Sequence, residues 1–563
     1  MTAPVFQSAI VINDRLPDRS ESWRWVVAAG LLVIVLAIPF VLVDVPPVLD
    51  YPNHLARYFV LAHPDDPFLS QMFAPHWGIL PNLGMDIIGA SLLRVTDLHI
   101  GGRFLLALSL FAPIIGVAVY HRAVFGEWSW WTLASGLLAY NGAFFLGFAN
   151  FLLSLGLALM AGAMWIVLRR RNMLLMQVTC GALAATIIFF CHIFGVAFFA
   201  LLIGAHEAAL LWRRRELGTL PARDVLAAAG PVAAALSPAV ALYLLSPLNA
   251  ESASVGEWAG SGKPWRIFAP FMTTSVELTL ITGITVILLL ILFRKRLELA
   301  PGLPLALRVL LVAFIVAPSS LKGGTFVDLR FALMIGLLLF AGIRPHLTVA
   351  EAGFAGLTVG ILIVLRSAQV GASWIDHRHD LADLRAAIAT IEPGTRVLAA
   401  RGHPGYLTSV EPKRRALPGV YRLDGHLAAL LLSERKAFWP LLFADPTQQP
   451  LIIKPPFDRI AQPGSEPVEW QWLAQEALPP AALRNARYLE HWRQDFDYVL
   501  LIDPPVAVQP HPGLSPLYRG NYAQLYRIDH QESQPRSPLT GPRDLRGAIA
   551  DQGASTSPAP GRP

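Results

Sequence analysis

Charge is scarce in this chain. Asp, Glu, Lys and Arg make up 15% of its 563 residues, against about 25% in a soluble domain. Mean hydropathy is +0.49. Apolar runs of 17 or more residues recur from position 25 to about 368. A soluble fold is excluded, and a polytopic membrane protein is predicted. Lysine is scarcer still, with six of the 45 basic residues. Cysteine is nearly absent: Cys180 and Cys191 fall on one predicted helix, roughly 16 Å apart at about 1.5 Å per residue, too far for a disulfide. Neither has a metal-ligand partner at a usual spacing, so both read as packing residues. The sequence has no phosphate-binding or dinucleotide glycine motif, no zinc spacing and no internal repeat.

The arginines that are present come in short runs between apolar segments: Arg169 to Arg171, Arg213 to Arg215, Arg294 to Arg296 around Lys295. Such runs are orientation signals. A net charge of +6 distributed this way does not point to a nucleic-acid partner. Residues 1–24 carry Arg15, Arg19 and Arg24 and are predicted to be cytoplasmic. The first apolar run, 25–43, is followed by Asp44-Val45-Pro46-Pro47 instead of a small-residue cleavage site, so it reads as a retained helix. It delivers a long loop, 44–100, to the outer side. That loop holds two amphipathic pieces, 52–63 and 82–95, broken by Pro64, Pro67, Pro75 and Pro81, with Phe73 and Trp77 suited to an interface.

Whether 82–95 spans is decided by parity. If it lies along the membrane, helices follow at 102–120, 128–146, 150–168, 173–190, 194–212, 224–245, 275–293, 303–318, 330–343 and 350–368, and every arginine run falls inside. If it spans, the three strongest runs move outside. The charge rule selects the first arrangement, with eleven spanning helices. The predicted fold is thus an all-α membrane domain, 25–370, followed by a small α/β domain at 371–530 on the outer side. Strands are expected near 396–400, 451–454, 498–503 and 523–528, and helices near 378–391, 425–436 and 470–488. Residues 531–563 are Pro-, Ser- and Gly-rich and are expected to be disordered.

Ionisable groups at a membrane boundary are costly unless paired or solvated, so they mark function. Asp50, in "VLDYPNHLARYF", is the leading catalytic candidate; the alternative is a helix cap on Asp50 or Asn53. Asp44 is the second and equally suits a helix terminator. His54 and Arg57 lie one turn apart on the amphipathic piece; their alternative is a solvated face. The outer loop Ser319–Arg330 holds Lys322 beside two glycines, then Asp328 and Arg330. Lys322 and Arg330 suit a phosphate, as a point charge and a fork; the alternative is an Asp328–Arg330 ion pair. His192, in "FFCHIFG", marks a third outer position. Asn141 and Asn150 read as turn residues.

"LDYPNHLARYF" resembles the pattern that opens the first outer loop of GT-C glycosyltransferases, the lipid-linked-sugar enzymes that include aminoarabinose transferases and protein O-mannosyltransferases. "LPNLGMDIIGASLLRVTDLHIGGRFLLALSLFAPIIGVAVYHRAVFG" resembles their following interfacial helix and arginine-led span. "GGTFVDLRF" is similar to a later acidic-x-Arg-Phe loop, and "FDYVLLIDPP…YRGNYAQLYRI" to the periplasmic C-terminal domains. The chain departs from the pattern in carrying Asp50-Tyr51 for Asp-Glu and His54 for tyrosine, and in lacking an acidic residue within Asn141–Asn150. That last departure weighs against a metal-dependent reading: a divalent metal is possible but not indicated, and no other cofactor is.

The resemblance implies an inverting transferase in a bacterial inner membrane with a periplasmic C-terminal domain. Its donor would be a polyprenyl-phosphate-linked sugar and its acceptor a lipid, glycan or protein of the cell envelope. Asp50 would be the general base, with Lys322 and Arg330 on the lipid phosphate and His54, Arg57, His192 and Asp328 lining the substrate. Two other classes remain open: a transporter or flippase of lipid-linked or small solutes, and a non-catalytic membrane scaffold with a binding domain. Transporters usually show paired halves and midplane sites, whereas here the halves differ and the ionisable groups gather at one face.

Overall fold

The structure, a computed structural model, describes residues 19–216, 218, 221–250, 262–321, 324–402, 415–473, 475, 483, 486–505, 508 and 511–530. Its main helices are α1 (Arg19–Leu42), α2 (Tyr51–Ala62), α3 (Gly84–Leu92), α4 (Leu98–Phe125), α5 (Ala149–Arg170), α6 (Leu174–Cys191), α7 (Ile193–Glu216), α8 (Ala222–Leu245), α9 (Val276–Leu292), α10 (Leu303–Val316), α11 (Val327–Ala341) and α12 (Val349–Ile388). Seven helices among the described residues are long and apolar enough to cross a membrane: α1, α4 to α8 and α12. Helices α9, α10 and α11 have 17, 14 and 15 residues.

Ten of the eleven expected spans are continuous helices. The exception is 128–146, which breaks into a short helix (Trp130–Leu133), a 3-10 turn (Ala134–Leu138) and a one-turn helix (Gly142–Leu146). The cause is Asn141. Its amide donates to the Leu138 carbonyl and accepts from the Phe144 N–H, local bonds that compete with a continuous helix. The break frees the Tyr140 carbonyl. Arg366, 2% exposed in the middle of α12, donates to it at 2.7 Å and to the Phe271 carbonyl at 2.8 Å. Broken backbone at membrane depth needs such a partner from the protein.

The helix ends sort into two groups. At one end Trp25 donates to Ser129 O and stacks on Trp128, and Arg344 pairs with Glu127. These ends carry the basic runs. At the other end lie α2, α3 and the corner between α6 and α7. Helix α3 has nine residues, about 14 Å, too short to cross. Leu83 N–H bonds Phe190 O and Met85 N–H bonds Asn150 Oδ1, all at this second end.

Helix α12 runs 40 residues, about 60 Å. The domain boundary expected at 370 therefore falls inside one helix. It leads into a five-stranded sheet: β1 (Val397–Arg401), β2 (Val468–Glu469), β3 (Tyr498–Ile502), β4 (Leu514–Arg519) and β5 (Ala523–Ile528), in the order β2-β1-β3-β5-β4. Strands β2, β1 and β3 are parallel, and β5 joins β3 and β4 antiparallel. The central strands read as apolar runs because both faces are covered. Asp383 on α12 accepts the Tyr522 and Ala523 N–H groups and fixes the sheet to the helix. The expected strand at 451–454 lies outside this sheet. Leu451–Ile453 pairs antiparallel with Phe73–Pro75 and ties the C-terminal part to the first loop. The expected tail, 531–563, lies outside the described residues.

Candidate functional site

Helix α2 begins at Tyr51 because Pro52 presets its first turn. Ahead of it the chain is pinned to the turn after the broken segment. Leu49 N–H bonds Phe145 O at 2.9 Å and Asp50 N–H bonds Leu146 O at 3.3 Å. Gly147 lies against Asp50 with φ +86°, a left-handed value that glycine adopts without cost. The Asp50 carboxylate caps no backbone N–H, so the helix-cap alternative is overturned. It instead faces His426 of the C-terminal domain, Oδ1 to Nδ1 at 3.0 Å, both side chains largely buried.

The same turn carries a cation site. Phe148 and Phe151 lie under Arg330, and Phe194 closes the third side, at 4.6, 5.3 and 5.3 Å from the guanidinium carbon. Cations are attracted to aromatic faces, the more so when desolvated. Among the described residues Arg330 has no carboxylate partner, but its charge and that of Asp50 attract each other. The expected Asp328–Arg330 pair does not form: Asp328 is taken by Arg266, at 3.0 and 3.1 Å. The geometry of α11 explains this. Two residues apart on a helix point to different faces.

Arg330 Nη1 stands 2.7 Å from His192 Nε2, while Phe194 N–H donates to His192 Nδ1 at 3.1 Å. Burial first, and then Arg330, holds the His192 imidazole well below its usual pKa. A neutral imidazole has one acceptor nitrogen, and two donors converge on it. Which of the two contacts the ring accepts follows its tautomer. Lys322, the other expected cation, lies outside the described residues.

The remaining expected residues take supporting places. Arg57 and Asp86 form a fully buried bidentate pair, 2.6 and 3.2 Å, that clamps α2 to α3. Burial opposes the Arg57 charge, but Asp86 outweighs it and raises the Arg57 pKa. His54 stacks on Tyr58 and packs against Phe443. Burial, then the charges of Arg57 and His426, push its pKa well below the usual value. Asp44 pairs with Arg385 at 2.6 Å, which also holds Glu434 at 2.7 Å. Burial raises the Asp44 carboxyl, but the hydrogen bond and charge of Arg385 bring it below its usual value.

The structure thus joins Asp50, His54, His192 and Arg330 around one turn and sets Asp44 in a separate network. Sequence reasoning missed His426, Gly147 and the phenylalanine cage. It offered Asn53 only as a helix cap, whereas its side chain grips the C-terminal region both ways: Nδ2 to Leu441 O at 3.2 Å and Phe443 N–H to Oδ1 at 2.7 Å. Among the described residues no three His, Cys, Asp or Glu groups stand together as a metal site.

No family model matches the chain, and no curated protein does. Among solved structures the chain is similar to the crystal structure of ArnT from Cupriavidus metallidurans bound to undecaprenyl phosphate. The TM-score is 0.48 and the identity 14%, over 93% of this chain and 100% of that chain.

Proposed function

We propose that the protein is an inverting membrane glycosyltransferase that moves a sugar from a polyprenyl-phosphate donor to a cell-envelope acceptor. The observation that carries this reading is a caged arginine, Arg330, with no carboxylate partner among the described residues, and near it a carboxylate without a capping role, Asp50, at one end of the membrane helices. The first suits a lipid phosphate. The second suits a proton acceptor.

In the reaction, Asp50 takes the proton of an acceptor hydroxyl. The hydroxyl oxygen attacks the anomeric carbon from the face opposite the phosphate. The bond from that carbon to the phosphate oxygen breaks, and the lipid phosphate leaves with the electron pair. Arg330 and Lys322 stabilise the charge that develops on the leaving oxygen. His54, neutral and stacked on Tyr58, lines the acceptor side. Arg57 and Asp328 act at one remove, by holding α2 on α3 and by engaging Arg266. The site faces the periplasm of a bacterial inner membrane when the arginine runs of the opposite end face the cytoplasm.

The test is sugar transfer from a radiolabelled polyprenyl-phosphate donor in proteoliposomes, together with mass spectrometry of envelope glycans and lipids in a deletion strain. The expected result is transfer that falls roughly ten- to a hundredfold in Arg330→Ala and Lys322→Ala, the loss of a charge-assisted phosphate contact. Unaltered kinetics in both variants, or an unaltered envelope in the deletion strain, would overturn the proposal.

A further inference from the structure

We infer that His426 is a positioning residue for Asp50, so that the C-terminal domain completes the site instead of merely covering it. This deepens the transferase reading and rests on it. The 424–426 turn reaches α2 because residue 425 is glycine: a Cβ there would already press on Leu49 at 3.1 Å. His426 then sits in a corner of Trp439 and Phe443, edge-on to both rings at 6.3 and 5.0 Å. The Phe443 wall is held to α2 by Asn53. Asp50 is backed from the other side by Gly147. Carboxylate and imidazole are thus fixed by separate attachments and meet at 3.0 Å.

The imidazole has a chemical reason to be there. Its Nδ1 is buried and makes no hydrogen bond, the approach to Asp50 Oδ1 included, yet that oxygen lies 3.0 Å away. In the inferred arrangement the ring turns so that Nδ1–H points at that oxygen. Once aligned, it occupies Oδ1, fixes the plane of the carboxylate and leaves Oδ2 for the acceptor hydroxyl. A general base needs that geometry before it needs anything else. A misplacement of about 1 Å at such a site costs on the order of a hundredfold in rate.

Two substitutions in the full-length protein in proteoliposomes separate this role from packing. His426→Asn sets an amide N–H near the Nδ1 position, and His426→Phe keeps the ring but has no donor. The expected result is kcat within about threefold of the parent for His426→Asn and at least tenfold lower for His426→Phe, with little change in KM. Equal activity of His426→Phe and the parent would overturn the inference while leaving the transferase reading intact. A thermal-melting cycle of Asp50→Ala and His426→Phe reads the contact without any assay of turnover. Non-additive melting shifts are expected, and additive ones would overturn the inference. A parent protein that transfers no sugar, combined with non-additive shifts, would reject the transferase and keep the pairing.

Discussion

Gly147 stands directly against Asp50: a Cβ on Gly147 would lie 2.7 Å from the Asp50 Cβ and 2.9 Å from its amide nitrogen. Gly147→Ala must therefore push the carboxylate away from its place. Gly126 is a matched control, with the same φ of +86° but nothing within 4 Å. Both alanine variants should lose stability by about 1 kcal/mol or more, because Ala is strained at positive φ. Only Gly147→Ala should also lose turnover, by about ten- to a hundredfold. Equal turnover in the two variants would separate Asp50 from the reaction.

Sidedness is testable by cysteine labelling. In a background with Cys180→Ser and Cys191→Ala, single cysteines at the exposed positions Gln71, Arg519 and Arg171 probe the two ends of the helices. The arginine parity predicts that Gln71→Cys and Arg519→Cys react with an impermeant reagent in intact cells and that Arg171→Cys does not. Labelling of Gln71→Cys and Arg519→Cys from opposite sides would contradict both the parity and the pairing of 73–75 with 451–453.

Much of the fold was written in local sequence. Long apolar runs and arginine spacing predict ten of the continuous helices, because membrane helices depend on composition over about twenty residues. The broken 128–146 segment escaped because its apolar content reads as a helix, whereas Asn141 and its local bonds decide otherwise. Asp50 and Arg330 were legible as charges in the wrong solvent. Their partners were not. His426 and Asn53 act across hundreds of residues, and no periodicity encodes that. The 514–519 strand, an edge with Pro516, lacked a strand-like alternation and gained its place from pairing with 523–528.

The Arg57–Asp86 pair makes a prediction about stability. Both side chains are fully buried and each is the other's charge partner. Removing one leaves an uncompensated buried charge, at a cost of about 3–5 kcal/mol, whereas replacing both by apolar groups is often close to neutral. Arg57→Met and Asp86→Leu should each lower the melting temperature strongly, and the double variant should recover most of the loss. Substrate contact by Arg57 would show instead as a KM change in the double variant at normal stability.

Acid should act in two stages. His54 and His192 have folded pKa values well below the usual 6.5, from burial first and then the cations Arg57 and Arg330. Below about 6.5 the unfolded chain binds protons that the folded chain refuses, so stability falls as pH drops. Asp44 and Glu434 are lowered although burial opposes it; hydrogen bonds and charge from Arg385, with His99 on Glu434, prevail. Their contribution is present above about pH 4 and is lost as pH falls through the lowered folded values. Melting temperatures against pH should show both declines. His54→Phe should blunt the first and Asp44→Asn the second. A rise in stability from pH 7 to 5.5 would contradict the assignment.

Asp50 and Asp44 provide the sharpest comparison, because one sequence stretch offers two carboxylates and the structure gives them different surroundings. Asp44 is committed to Arg385 at 2.6 Å, in a network that joins the first loop to α12 and Glu434. Asp50 faces His426 and the caged Arg330, with no cap to make. Asp50→Asn is nearly isosteric and should melt close to the parent, yet an amide accepts no proton. Loss of a general base typically costs a hundred- to ten-thousandfold, so transfer should collapse while donor binding survives. Asp44→Asn should do the reverse: it loses a charge partner of Arg385, lowers the melting temperature and retains turnover within a few-fold. Measured side by side in proteoliposomes, full activity in Asp50→Asn would remove the base from the mechanism. A dead but stable Asp44→Asn would move the base one turn toward the membrane and leave the phosphate site where it is.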